Sequence, residues 1–354
     1  MEEEIRAFWH YTLGKYFCQT PPILTLFVTN QCNARCQHCF YWKNLAEEKK
    51  EPSLKEIEKL SQDLGSLELL LFSGGEPFLR KDLAKIVKIF WRNNRLKTVS
   101  VVTNGLLPKS IEKQVEEMLK ISPRLLVNVP LSLDGTQEIH DKYRGVKGAF
   151  KKAQETYRRL FRLKKRYSNL RIRLVATVSN FNYQNLFKLI DQMPKLFPKS
   201  PEVWVFSLNL LRGDPRNPEI KLPSVDKVKK LFIYKNKKFK GTRSWTTRIL
   251  EKIIIADQIK ILEEKKQIVS CEAGRLMAVV YENGLVGHCE LLPPVGSLRK
   301  KDFRQIWQSK KAKALRRKIV KKKCFCTHQC NLFPSLIAHP LSWFKLIGLS
   351  LKLE

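Results

Sequence analysis

Three cysteines, Cys32, Cys36 and Cys39, stand in the run CNARCQHC directly after a short apolar segment. A CxxxCxxC triplet supplies three thiolates, whereas a cubic iron-sulfur cluster is normally held by four. One iron would then stay open to a ligand that is not protein. Zinc and redox disulfides also use closely spaced cysteines, but structural zinc sites close at four ligands and usually pair two CxxC-like units. His38, inside the triplet, is poorly placed to complete such a set beside Cys39.

A second group, Cys271, Cys289, Cys324, Cys326 and Cys330, lies near the C-terminus and offers five thiols where one cluster needs four. Thiolates suit iron-sulfur clusters and zinc alike, so both stay open for this group. The leftover Cys18 reads as an ordinary buried thiol. Three glutamates follow Met1, and no basic start with a continuous apolar stretch marks the chain for export. Nine cysteines in such a chain argue for metal or catalytic thiols in the cytoplasm, where disulfides are kept reduced.

The elements that must position these residues follow from periodicity. Short apolar strands are expected at Leu24 to Val28, Leu69 to Phe72, Val99 to Thr103, Leu126 to Leu133, Arg171 to Val178 and Val203 to Leu208. Amphipathic helices alternate with them. One carries Leu83, Ile86, Val87 and Phe90 at helical spacing, and another starts at Ser53 with Glu56 as a capping box. Six βα units give an α/β fold, either a doubly wound sheet or an incomplete barrel. Active sites in both gather at the C-terminal strand ends. The cysteine triplet follows the first strand, Gly74-Gly75-Glu76-Pro77 ends the second, Thr103-Asn104-Gly105 the third and Ser132-Leu133-Asp134-Gly135 the fourth, so all four motifs should face one mouth. Gly213, Pro215, Pro218 and Pro223 mark a boundary, the basic run Lys235 to Lys240 follows, and a helix begins near Ile249. Met277 to Tyr281 and Leu285 to Cys289 flank Asn283-Gly284 and read as a β-hairpin.

The order CNARCQHCF, GGEP, TNG, SLDG and then HDKYRG, with each of the first four at a strand end, resembles the radical S-adenosylmethionine (radical SAM) enzymes. The C-terminal cysteines resemble the SPASM or twitch branch of that family. The resemblance runs from about Leu24 to Cys330 and implies a partial (β/α)6 TIM-like barrel with an auxiliary-cluster domain. It divides the chain into a core at 1–210, basic linker and helices at 211–260, the auxiliary domain at 261–331 and an apolar tail at 332–354. It implies a 4Fe-4S cluster on Cys32, Cys36 and Cys39 whose open iron binds S-adenosylmethionine, and cleavage of that cofactor to a 5'-deoxyadenosyl radical that abstracts hydrogen. Gly74, Gly75 and Glu76 would bind the methionine amine, and Asn104, Ser132 and Asp134 the nucleoside side. Asn104-Gly105 and Asp134-Gly135 also read as plain turns, and Asp141 with Arg144 as a local ion pair. Phe40, Tyr41 and Trp42 would pack in the core or shield the cluster. One auxiliary 4Fe-4S cluster is expected, with Cys271, Cys289 and Cys330 as the firmer ligands and Cys326, ahead of Cys324, as the fourth.

Lysine and arginine number 67 against 33 acids, a formal charge of +34. Nine of the fourteen residues from Lys310 to Lys323 are basic, on an expected helix ending at the auxiliary cysteines. Such density exceeds an ordinary solvated face and suits an acidic electron donor such as a flavodoxin or ferredoxin, nucleic acid, or an anionic membrane. The tail LFPSLIAHPLSWFKLIGLSLKLE is apolar but broken by Pro334 and Pro340, so it does not span a bilayer. It docks on the core or anchors the enzyme peripherally to the inner membrane face. The leading reading is hydrogen abstraction from a peptide, protein or lipid-linked substrate. About twenty residues precede the first strand, too few for the leader-binding domain of many peptide maturases. The alternatives are an RNA-modifying radical SAM enzyme and a non-catalytic iron-sulfur protein for electron transfer or RNA binding, which would have no use for GGEP.

Overall fold

A computed structural model of the chain describes residues 19–45, 48, 51–197, 206–239, 245–321 and 324–339. Cys18, positions 203–205 of the sixth expected strand, and the tail from Pro340 onward lie outside the described residues. The first half is a run of βα units: β1 (Ile23–Thr29), α1 (Leu54–Asp63), β2 (Leu69–Gly74), α2 (Leu83–Asn94), β3 (Thr98–Val101), α3 (Pro108–Leu119) and β4 (Leu126–Ser132). Two helices, α4 (Gln137–Arg144) and α5 (Ala149–Arg166), lead to β5 (Leu170–Val178), α6 (Tyr183–Leu196) and β6 (Phe206–Leu210). The capping box at Ser53 starts α1 as expected, with Glu56 N–H donating to Ser53 Oγ and Ser53 N–H to Glu56 Oε2.

Strands β1 to β6 pair in parallel and stand in sequence order. A doubly wound sheet reverses its strand order at a switch point. With no reversal, every crossover returns on one side and the sheet curls into a partial barrel. One face of each strand is sealed by helices: Leu24, Leu26 and Val28 of β1, and Val127, Val129 and Leu131 of β4, join the main core. The other face stays partly open. In β4 and β6 buried and half-buried residues alternate, and in β5 Arg171 and Arg173 are exposed between buried neighbours. These strands are therefore not covered on both faces, and the barrel interior is left as a chamber.

The C-terminal half follows with α7 (Val225–Lys238) and α8 (Trp245–Glu264), then β7 (Met277–Val280), β8 (Leu285–Gly287) and β9 (Gly296–Ser297), and α9 (Phe303–Gln308), α10 (Lys310–Val320) and α11 (Gln329–Ala338). The expected hairpin is present as β7 and β8, but it is not a free-standing unit. Strand β7 pairs in parallel with β1, Ile23 opposite Met277, so one nine-stranded sheet runs β6-β5-β4-β3-β2-β1-β7-β8-β9. Among the described residues, no helix is long and apolar enough to cross a membrane.

Candidate active site and auxiliary metal centre

The cysteine triplet occupies the loop leaving β1, and the GGEP turn closes on that loop directly. Gly75 N–H donates to Thr29 O at 2.9 Å, and Glu76 N–H to Gln31 O at 2.8 Å. A Cβ on Gly75 would sit 1.9 Å from Gln31 O. Glycine is thus required by the approach of two strand ends, in addition to any approach to a ligand. The Glu76 carboxylate is buried and accepts hydrogen bonds from Thr103 Oγ1 at 2.8 Å, Asn104 N at 2.8 Å and Phe78 N at 3.3 Å. Burial pushes its carboxyl up to about 7 against these bonds. Asn104 in turn donates from Nδ2 to Asn33 Oδ1 within the cysteine loop at 2.8 Å. The ends of β1, β2 and β3 are therefore one hydrogen-bonded rim. Ser132 is half-buried at the end of β4, on the barrel-interior face opposite Leu131.

The HDKYRG segment on α4 is a scaffold for the same loop. His140 Nδ1 accepts from Asp134 N–H at 3.0 Å, and burial lowers this imidazole to about 4, so it is neutral. Asp141 caps α5, accepting from Gly148 N at 2.7 Å and Phe150 N at 2.8 Å. Tyr143 stacks on His38 with ring centroids 4.2 Å apart, and its carbonyl accepts from Gln37 N–H at 2.9 Å. Gly145, at φ +65°, lies so close to Arg35 that a Cβ would meet its carbonyl oxygen at 2.7 Å.

Arg144 does not pair with Asp141, which corrects the local ion pair expected there. Its Nε and Nη2 reach Asp134 Oδ2 at 2.7 and 2.6 Å, and its Nη1 lies 3.5 Å from Cys36 Sγ. Asp134 Oδ1 accepts from Thr177 N–H at 2.8 Å. Burial opposes the Asp134 charge, but the Arg144 guanidinium, with the Thr177 N–H, outweighs it and holds the carboxyl below its usual range. The carboxylate is thus engaged by Arg144 and Thr177. His38 is lowered to about 3 by burial and by Arg144, so it serves as a neutral wedge.

The triplet itself suits a desolvated thiolate-bound group. Apolar Ala34, Leu106 and Ala149 pack around Cys32 and Cys36. Burial, then Glu76, raises Cys32 to about 12, and burial and Cys36 raise Cys39. These thiols ionise when a metal group takes the place of the proton. Tyr41 of the aromatic run packs on Phe27 and donates to Glu282 Oε2 at 2.5 Å, tying the cysteine loop to the β7–β8 turn.

In the C-terminal group, the Cys271 thiol is raised by burial and by the nearby thiols of Cys326, Cys289 and Cys324. Gln267 joins two of these segments, accepting from Cys271 N–H at 3.2 Å and donating to Cys324 O at 3.0 Å. Cys289 Sγ accepts from Leu291 N and Asn331 Nδ2, both at 3.4 Å. Cys330, expected among the firmer ligands, is exposed on α11 and lines a cavity of about 220 Å³ with Ser73, Gly74, Phe40, Arg212 and His328; Arg212 and Glu290 act on it as they do on Cys326.

Sequence reasoning missed Arg212. Just past β6, its guanidinium lies 4.3 Å from the Phe40 ring centroid, is paired with Glu290 Oε2 at 2.6 Å and contacts His328 Nε2. The available signal was adjacency: Phe40 follows Cys39, Glu290 follows Cys289, and His328 lies between Cys326 and Cys330.

Comparison with known proteins decides the family. The Radical SAM superfamily matches residues 26–181, and the SPASM iron-sulfur cluster-binding domain matches residues 271–331. The chain belongs to the radical SAM superfamily. It is an enzyme of the SPASM branch, with a 4Fe-4S cluster and S-adenosylmethionine on the radical SAM domain and an iron-sulfur cluster on the SPASM domain, so zinc in the second group is set aside. Fe-coproporphyrin III synthase of Methanosarcina barkeri is 38% identical over 36% of this chain and 31% of its own length. The subtilosin biosynthesis protein AlbA of Bacillus subtilis is 27% identical over 81% of this chain and 59% of its own length. The chain thus spans less than two thirds of both relatives. AdoMet-dependent heme synthase of Methanosarcina barkeri is 24% identical over 82% of each chain. Among solved structures, anSMEcpe with bound AdoMet and Kp18Cys peptide shares the fold, with a TM-score of 0.61 at 15% identity over 94% of this chain and 100% of that one.

Proposed function

We propose that the protein cleaves S-adenosylmethionine reductively and uses the resulting radical to take a hydrogen atom from a peptide, protein or lipid-linked substrate held in the barrel chamber. The observation that carries this reading is the joining of the cysteine loop, the GGEP turn and Asn104 into one rim over the open strand ends. When bound to Cys32, Cys36 and Cys39, a reduced 4Fe-4S cluster supplies the electron that breaks the cofactor's sulfonium bond. Gly74, Gly75 and Glu76 present backbone and a carboxylate to the methionine amine, while Asn104 and Ser132 border the nucleoside. Asp134 acts at one remove, holding Arg144 against Cys36. Cys271, Cys289, Cys324 and Cys326 form the auxiliary ligand set, and Cys330 faces the chamber instead.

The peptide reading is supported by AlbA, a bacteriocin biosynthesis protein, and by the peptide-bound anSMEcpe structure. A second reading, a tetrapyrrole substrate, is favoured by the heme synthase match across most of both chains and by Arg212 in the chamber wall, where it can meet a propionate. Anaerobic reconstitution followed by 5'-deoxyadenosine assay under dithionite tests the reaction. Cys32→Ala, Cys36→Ala and Cys39→Ala should each abolish it while most auxiliary iron is retained; turnover in any of the three would refute the assignment. Mass spectrometry of candidate peptides and of porphyrin substrates then separates the two readings.

A further inference from the structure

Helix α10 has two faces with different tasks. Its Leu315 and Ile319 pack in one apolar cluster with Cys271, Cys289 and Cys324. The flank away from those thiols, with Arg275 beside it, forms an open groove of about 330 Å³ lined by Arg275, Lys313, Arg316, Arg317, Val320 and Lys321. Five of the six lining residues are cations and none is an acid. Lys313, Arg317 and Lys321 are exposed, and among the described residues no acidic side chain pairs with them. Arg316 is fixed, donating to Gly274 O at 3.1 Å and Trp307 O at 2.9 Å and lying 5.3 Å from the centre of the Trp307 ring. The groove is thus preorganised and self-repelling, and an anionic partner relieves the repulsion.

We propose that this groove docks a small acidic one-electron carrier of the flavodoxin or ferredoxin type, which delivers electrons through the auxiliary cluster. The inference rests on the auxiliary ligand set assigned above. A carrier seated here is separated from those thiols by the thickness of one helix, about 10 Å. Each encounter moves one electron, oxidising the reduced carrier and reducing the auxiliary cluster by one. The groove is compact and offers no aromatic ring for base stacking. Its single apolar side chain, Val320, gives a lipid surface little to bury. Both features favour a compact acidic protein patch over a nucleic acid strand or a membrane.

The test uses the reconstituted full-length holoenzyme and its Lys313→Glu/Arg317→Glu/Lys321→Glu variant, with a reduced acidic flavodoxin as probe. Stopped-flow oxidation of the flavodoxin should slow by about tenfold or more in the variant at low salt. The difference should close at about 0.5 M salt, where charge steering is screened, and Lys313→Gln/Arg317→Gln/Lys321→Gln should fall between. Dithionite-driven 5'-deoxyadenosine formation should match the parent in every variant. Equal flavodoxin rates in parent and charge-reversed enzyme would overturn the proposal. So would unchanged rates combined with loss of binding to RNA or to anionic vesicles, which would assign the groove to those partners. If the parent itself formed no deoxyadenosine with dithionite, the proposed function would fail first, and the two failures are distinguishable.

Discussion

Replacing Arg144 with methionine isolates one charge at the junction of the barrel rim and the cysteine loop. Methionine keeps the apolar stem but leaves Asp134, fully buried, with only the Thr177 N–H on its carboxylate. Breaking a buried pair by removing one partner costs about 3–5 kcal/mol, a large part of the roughly 5–15 kcal/mol that a domain has in total. Adding Asp134→Asn removes the stranded charge. The double variant should then cost only about 1–2 kcal/mol, the scale of lost hydrogen bonds. Urea unfolding of the parent, both single variants and the double variant closes the cycle.

The same substitution reads out a second, separate quantity. Arg144 Nη1 faces Cys36 Sγ, so its loss should make the bound cluster harder to reduce and move its midpoint to a more negative potential. Asp134→Asn removes the neighbouring anion without restoring that cation, so the double variant should recover only part of the lost potential. Potentiometric titration followed by EPR checks this. The reasoning is wrong if Arg144→Met stays within about 1 kcal/mol of the parent, or if Arg144→Met leaves the potential unchanged.

Gly75→Ala forces a methyl group against the Gln31 carbonyl, and a displaced cysteine loop should weaken S-adenosylmethionine binding and cost about 1–3 kcal/mol; calorimetric affinity equal to the parent's would count against the close approach. Cys326→Ala should strip auxiliary iron while Cys330→Ala leaves it in place, and iron counting that gave the reverse order would return Cys330 to the ligand set. Asp257 on α8 is fully buried, neither carboxylate oxygen has a hydrogen-bond partner among the described residues, and burial raises it to about 7. The folded state therefore holds a proton that the unfolded chain has lost, and stability falls as pH rises through 7. Asp257→Asn, which cannot ionise, should gain on the parent by about 2 kcal/mol between pH 5.5 and 8; urea midpoints that move in parallel would contradict this.

What the sequence made legible was local. Five of the six barrel strands, the capping box at Ser53 and the hairpin turn at Asn283-Gly284 follow from periodicity and turn chemistry, and they alone put four polar motifs at one mouth. Pairings across long separations left no local trace. Nothing near Ile23 announces Met277 as its neighbour, so the hairpin read as part of a separate domain although its first strand extends the barrel sheet. Asp141 and Arg144, one helical turn apart, have the spacing of an ion pair. The next helix start claims Asp141 and Asp134 claims Arg144, a competition that only the fold reveals.

The cations that do reach the two cysteine groups are placed where thiolates become costly. Without metal, burial favours the protonated thiol at Cys32 and Cys289, both raised to about 12. Loading a cluster ionises them inside a low-dielectric site, and the resulting negative charge needs fixed positive partners there. Arg144 stands against Cys36, and Arg212 bridges Phe40 beside Cys39 to Glu290 beside Cys289. Arg212 acts on the thiols of Cys326 and Cys330, while the triplet's Cys39 is served by Arg216 and Arg144. The hydrogen-bonded rim of Glu76, Thr103, Asn104 and Asn33 carries no thiol, and through Asn33 it ties the second and third strand ends to the cysteine loop.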